Sequence, residues 1–152
     1  MIASETNPQM PEEWLACLKN HGHRITAPLK ALVEILAVSS RALGPLELVE
    51  LGRKSCPGMG LVTVYRALEK MEEAGLIQRV HQNQNCNMYL RAAHGHEHLL
   101  LCLSCGKIEF FSGDNLNELI GRIAQKSGFV IREHWLQLYG ICSDCQEKDD
   151  NQ

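Results

Sequence analysis

The sequence predicts an α+β chain in two parts: an N-terminal winged helix-turn-helix domain followed by a small α/β dimerisation domain with a four-cysteine zinc site. Three observations carry this. As far as Gly75 the apolar residues recur at helical spacing, in four stretches separated by glycine and proline breaks. Beyond it the period shortens to that of strands, first as a hairpin and then in the order strand, strand, helix, strand. Two CxxC pairs, Cys102 with Cys105 and Cys142 with Cys145, can then close one tetrahedral Zn²⁺ site from distant segments.

Pro11 opens the first helix, 12–20, where Trp14, Leu15 and Leu18 share a face before Asn20, His21 and Gly22 stop it. Thr26 stands as the N-cap of the second, 27–38. Pro28 is tolerated in its first turn, and Leu29, Leu32, Val33, Ile35 and Leu36 make an apolar stripe. Pro45 opens a third helix, 46–54, which the run from Cys56 to Gly60 breaks. Thr63 caps or begins a fourth, 63–74, with Gly75 at its end. Strands 76–81 and 87–90 follow, joined by the polar turn 82–86. Helices followed by a hairpin give the winged order; a generic helical domain with a terminal hairpin fits the same pattern.

A hinge at 91–93 divides the chain into 1–91 and 92–152, with 1–10 and 147–152 expected to be disordered. Strands 99–103 and 107–111 surround the first cysteine pair, Asp114 caps a helix to about Lys126, and a long strand, 129–139, leads to the second pair. Four sulfurs leave no open coordination position, so this zinc holds structure and does no chemistry. A unit of about 60 residues buries little surface, a shortage that zinc and a second subunit would both relieve. The long strand can add to its own copy across a two-fold axis and cover an exposed edge, which makes a homodimer the expected assembly.

The 152 residues contain no apolar run of bilayer-spanning length, and the polar, acidic start differs from a secretory signal. A cytoplasmic location with no membrane partner is expected. In a reducing compartment seven cysteines read as metal ligands and free thiols. The net charge of −3 is unevenly spread: 17–91 carries ten basic residues against six acidic, whereas 93–152 carries five against nine. Local sign governs attraction to phosphate, and it favours the first half.

The run from Val62 through Thr63, Val64, Tyr65 and Arg66 to Leu68, ending at Gly75-Leu76-Ile77, resembles the recognition helix of the ferric uptake regulator family. Arg24-Ile25-Thr26, the histidines entering Cys102, and Leu138 to Cys142 extend the resemblance over about 15–146. It implies a dimeric, metal-responsive transcriptional repressor that binds double-stranded DNA at an AT-rich palindromic operator. By the same resemblance Tyr65 meets a thymine methyl, Arg66 a phosphate or base edge, and Thr63 the backbone; Arg24 is a further backbone contact. Where the family commonly places glutamine and arginine after the proline, this chain has Leu29 and Lys30, and lysine cannot make an arginine's forked contact.

A sensor also needs an exchangeable metal whose ligands link parts that move. The candidates are His81 on the wing, Cys86 in its turn, and His94, His96 and His98 past the hinge, three histidines at alternate positions on an extended segment. The resemblance places His81 near a wing ligand and matches His96 and Glu109 with further ligands. His134, eight residues before Cys142, corresponds to an additional regulatory ligand, although Asn117 stands where its carboxylate partner usually falls. Nitrogen with possible thiolate suits Zn²⁺, so the chain looks most like the zinc uptake regulator branch, controlling metal uptake genes. An iron, manganese or peroxide sensor is the alternative within the family, and a zinc-stabilised protein-interaction module the alternative outside it. An enzyme is disfavoured: His96-Glu97-His98 is not followed by the second histidine of HExxH, and no deaminase signature precedes Cys102.

Overall fold

The computed structural model describes residues 9–82, 86–93, 97–113 and 116–149. Four helices come first: α1 (Met10–Asn20), α2 (Ala27–Val38), α3 (Pro45–Gly52) and α4 (Leu61–Glu73). The hairpin β1 (Ile77–Gln82) and β2 (Cys86–Arg91) completes the winged helix-turn-helix. The second half contains β3 (Glu97–Cys102), β4 (Ile108–Ser112), α5 (Leu116–Ser127), β5 (Gln137–Gly140) and α6 (Ser143–Asp149).

Local chemistry sets most of these bounds. Thr26 caps α2 by accepting from the Leu29 amide at 3.4 Å, and α2 has the span expected of it. Pro45 is itself the first residue of α3, one earlier than expected, because a missing N–H costs nothing there. Gly60, not Thr63, is the N-cap of α4, so Thr63 lies inside the first turn. Gly75 ends that helix with φ of 70°, a conformation that disfavours side chains with a Cβ.

The helical half packs around Leu18, Leu32, Leu36, Leu48, Leu68 and Met71, all fully buried. A second core joins the two halves: Ala42, Val80 and Leu90 from the first meet Leu99, Leu101 and Ile108 from the second. Residues 40–43 form a strap across the same boundary. Leu43 exchanges two hydrogen bonds of 2.9 Å with Tyr89 on the wing, the Ala42 amide donates to Gly106 at 2.9 Å, and the Ile108 amide donates to Ser40 at 3.0 Å. The expected hinge is thus anchored, since Ala92 is buried and its amide donates to Leu76.

Three expectations change. Cys86 opens β2, its backbone facing Gln82, and does not lie in the turn. The final strand covers only 137–140: the ladder with β3 begins where the Leu99 amide donates to the Leu136 carbonyl at 3.1 Å, and among the described residues no strand pairs with 128–135. Phe129, Val130 and Trp135 in that segment are more than two-thirds exposed. The second cysteine pair continues into α6 as far as Asp149, where disorder was expected from 147. Residues 1–8 and 150–152, and the proposed cap Asp114, lie outside the described residues.

Leu32→Ala is expected to destabilise the chain by about 2–5 kcal/mol, because the side chain is fully buried between helices that cannot close the gap. Equilibrium denaturant unfolding followed by circular dichroism measures it.

Candidate metal centre and nucleic acid interface

The order β4-β3-β5 explains how distant cysteines meet. β3 and β5 run parallel with Cys102 opposite Gly140, so both strands deliver their cysteine pairs at the same end of the sheet. The first pair turns through Gly106, whose φ of 76° lets its amide return to the Cys102 carbonyl at 3.0 Å. The second pair forms the first turn of α6, with the Cys145 amide donating to Cys142 at 3.0 Å.

All four sulfurs lie within 4.8 Å of one another. Cys105 and Cys142 are 3.7 Å apart and Cys102 and Cys145 are 4.0 Å apart. A tetrahedral Zn²⁺ with bonds of about 2.3 Å requires sulfurs about 3.8 Å apart, so the donor set and its dimensions both fit. Burial opposes ionisation of Cys102, yet the backbone amides of Cys105, Cys142 and Ser104 together draw its thiol down to about 6. Burial pushes the Cys142 thiol up to about 12, with Cys145, Cys102 and Cys105 adding to the rise against the amide of Cys145. Successive negative charges in one small volume repel, and a divalent cation removes that conflict.

The other candidate ligands are not gathered in one place. His81 is exposed on β1 opposite Asn87. His98, only 3 % exposed, lies on β3 with its ring 5.5 Å from that of Phe111 and 5.3 Å from that of His134. Glu109 faces Leu100 on the same side of the sheet as His98, two positions along, and pairs with Lys107 at 3.7 Å. His94 and His96 lie outside the described residues, as does the side chain of Cys86. Among the described residues the four cysteines are the single group of three or more potential ligands within coordinating reach.

In the first half α4 divides cleanly between a buried and an exposed face. Val64, Ala67, Leu68 and Met71 face the core, leaving Val62, Tyr65 and Arg66 exposed at helical spacing. The start of α2 meets this helix in a groove of about 210 Å³ lined by Thr26, Pro28, Thr63, Arg66 and Lys70. Arg24, Arg66 and Lys70 take no part in an ion pair among the described residues, and so remain available to an external anion. Lys30 pairs with Glu34 at 3.9 Å, and Arg79 forks onto Glu72, tying β1 to α4. The contribution of Lys70 and Thr26 was not legible from the recognition-helix motif, because the groove forms only where two helices converge.

The Ferric uptake regulator family profile matches residues 20–139. The chain belongs to the ferric uptake regulator family. Membership makes it a metal-responsive transcription regulator. The ferric uptake regulation protein of Shigella flexneri is 36 % identical over 141 residues, covering 87 % of this chain and 91 % of that one. The crystal structure of the Vibrio cholerae ferric uptake regulator superimposes with a TM-score of 0.68 at 30 % identity, over 84 % of this chain and 98 % of that one. A zinc uptake regulator complexed with zinc and DNA shares the fold, with a TM-score of 0.69 at 21 % identity over 97 % and 99 % of the two chains.

Two outcomes are expected. Thiolates bind zinc only after losing their protons, so lowering the pH from about 7.5 to about 5 is expected to speed zinc release to a colorimetric chelator. A Cβ at Gly113 would lie 3.0 Å from His98 Cδ2 and 3.3 Å from Nε2. Gly113→Ala is therefore expected to shift the ring NMR signals of His98 and His134 and to leave His81 unchanged.

Proposed function

We propose that this member of the ferric uptake regulator family is a zinc-sensing repressor, acting as a cytoplasmic homodimer on an AT-rich palindromic operator that controls metal uptake genes. The observation that carries DNA binding is the exposed face of α4, where Tyr65 and Arg66 stand beside a groove whose Arg66 and Lys70 take no part in an ion pair among the described residues. Tyr65 would read a thymine methyl, while Thr63, Arg66 and Arg24 would fix the helix against phosphate and base edges.

Cys102, Cys105, Cys142 and Cys145 would hold a structural Zn²⁺; the thiolate donors and their spacing support this. When bound, that ion supplies coordinate bonds across two chain segments and no open position for a reaction. Under the same reading the chain is not an enzyme. A second zinc would bind at ligands drawn from His81, Cys86, His94, His96, His98, Glu109 and His134, of which His98 and His134 already lie side by side. Imidazole-rich coordination with few carboxylates favours zinc over iron or manganese, the competing reading within the family.

We place the domain division at the expected boundary, 1–91 for DNA binding and 92–152 for dimerisation and metal binding. Dimerisation is supported by the exposed apolar side chains of the second half. α5 has no buried residue and exposes Leu119 and Ile123, and the segment before β5 exposes Phe129, Val130 and Trp135. A second chain would cover such side chains. No helix among the described residues is long and apolar enough to cross a membrane.

Tyr65→Ala is expected to weaken operator binding by roughly tenfold, the scale of about 1–3 kcal/mol for a base-reading contact, with non-specific affinity nearly unchanged. Gel-shift titration against operator and scrambled DNA measures it. Equal operator affinity in fully zinc-loaded protein and in protein stripped only of its second metal would overturn zinc sensing. If Fe²⁺ or Mn²⁺ promotes binding at lower free concentration than Zn²⁺, the alternative sensor is the correct one.

A further inference from the structure

We infer that Arg91 is a positioning residue that locks the DNA-binding half onto the second half without any metal. This goes beyond the sensing reading, which assigns the relative orientation of the halves to a bound ion. Arg91 ends β2, the last element of the first half. Its guanidinium forks onto Glu97 at the start of β3, with bonds of 3.0 and 3.3 Å. The same group lies 3.5 Å above the ring of Phe110 on β4, within the range of a strong cation–π contact.

The Arg91 side chain is 18 % exposed and Glu97 34 %, so solvent screens this pair less than it would a fully exposed one. An arginine can satisfy a carboxylate with one edge while stacking its face on an aromatic ring; a lysine can do neither in the same way. The clamp does not act alone. Directly beneath it, Leu90 and Val80 share a core with Leu99, Leu101 and Ile108, against which Phe110 also packs. The strap then fastens the other side, through Ala42 to Gly106 and Ser40 to Ile108.

In sequence, Arg91 and Glu97 bracket His94 and His96. A metal arriving there meets two halves already held in register and needs to supply only the remaining bias. The clamp therefore sets how much metal the switch requires, because a ligand shifts a two-state equilibrium only by its differential affinity.

Hydrogen exchange of the full-length protein, with zinc kept at the four cysteines and the second metal removed, tests this without DNA. The Ala42 and Ile108 amides bond across the boundary, so they report its opening, while Leu32 and Leu36 report the helical core. In Arg91→Ala the first two amides are expected to exchange about tenfold faster and the core pair at the original rate. Arg91→Lys should restore little of the loss. The free zinc concentration for half-maximal operator binding should rise, with dimer mass and the zinc content of the four-cysteine site unchanged. Unaltered exchange at Ala42 and Ile108 overturns the clamp, whatever the DNA assay shows. Should Arg91→Ala fail to fold, Glu97→Gln and Phe110→Leu remove the fork and the stack separately, and each must speed the same two amides. Absence of any DNA binding in the parent protein would count against the regulatory reading and leave the exchange result to judge the clamp.

Discussion

Everything in the second half depends on the parallel pairing of β3 with β5. Parallel strands cannot be joined by a tight turn, so the chain must travel through β4, α5 and a long extended segment before returning alongside β3. Closing so long a loop costs entropy, and only four residues of β5 take part in the ladder that rewards it. Coordination at the strand ends would offset that cost where it is greatest. The cluster and the pairing therefore support each other: the parallel register aligns the sulfurs, and a metal among them would hold the register.

From this anchored sheet, influence runs toward the wing by short steps. Gly106 lies immediately after Cys105 and accepts from Ala42, whose neighbour Leu43 pairs with Tyr89. The knuckle, the strap and the hairpin thus form one continuous hydrogen-bonded layer. Arg41 in the strap also forks onto Glu47 of α3, carrying the same connection into the helices. A bound cation in the cluster is consequently separated from the helical half by few bonds, even though the exposed face of α4 is distant in sequence.

The readable parts of the sequence were those with local chemistry. The Thr26 cap, the Pro45 start, the apolar stripes of α2 and α4, and the two cysteine pairs each specify a geometry within a few residues. The strap was not readable, because residues 40–43 cross the boundary through backbone groups that any sequence possesses. Nor was the Arg91 fork, whose partners are set by tertiary approach. The segment 129–139 reads as a strand from its apolar residues, yet periodicity cannot reveal whether a hydrogen-bonding neighbour exists within the same chain. The histidines were legible as potential ligands, but the burial of His98 beside His134 depended on how β3 packs against residues beyond α5.

The unpaired stretch before β5 also bears on how the protein is made and kept. Its open backbone and apolar side chains form a sticky margin while a chain is alone. Under the two-fold arrangement proposed above, a matching copy conceals that margin, and the folded state gains stability by mass action as copies accumulate. A scarce, newly synthesised chain is then the form most open to proteases and misassociation. Abundance and durability would rise together, so the cell's stock of regulator would depend on its own concentration as well as on metal.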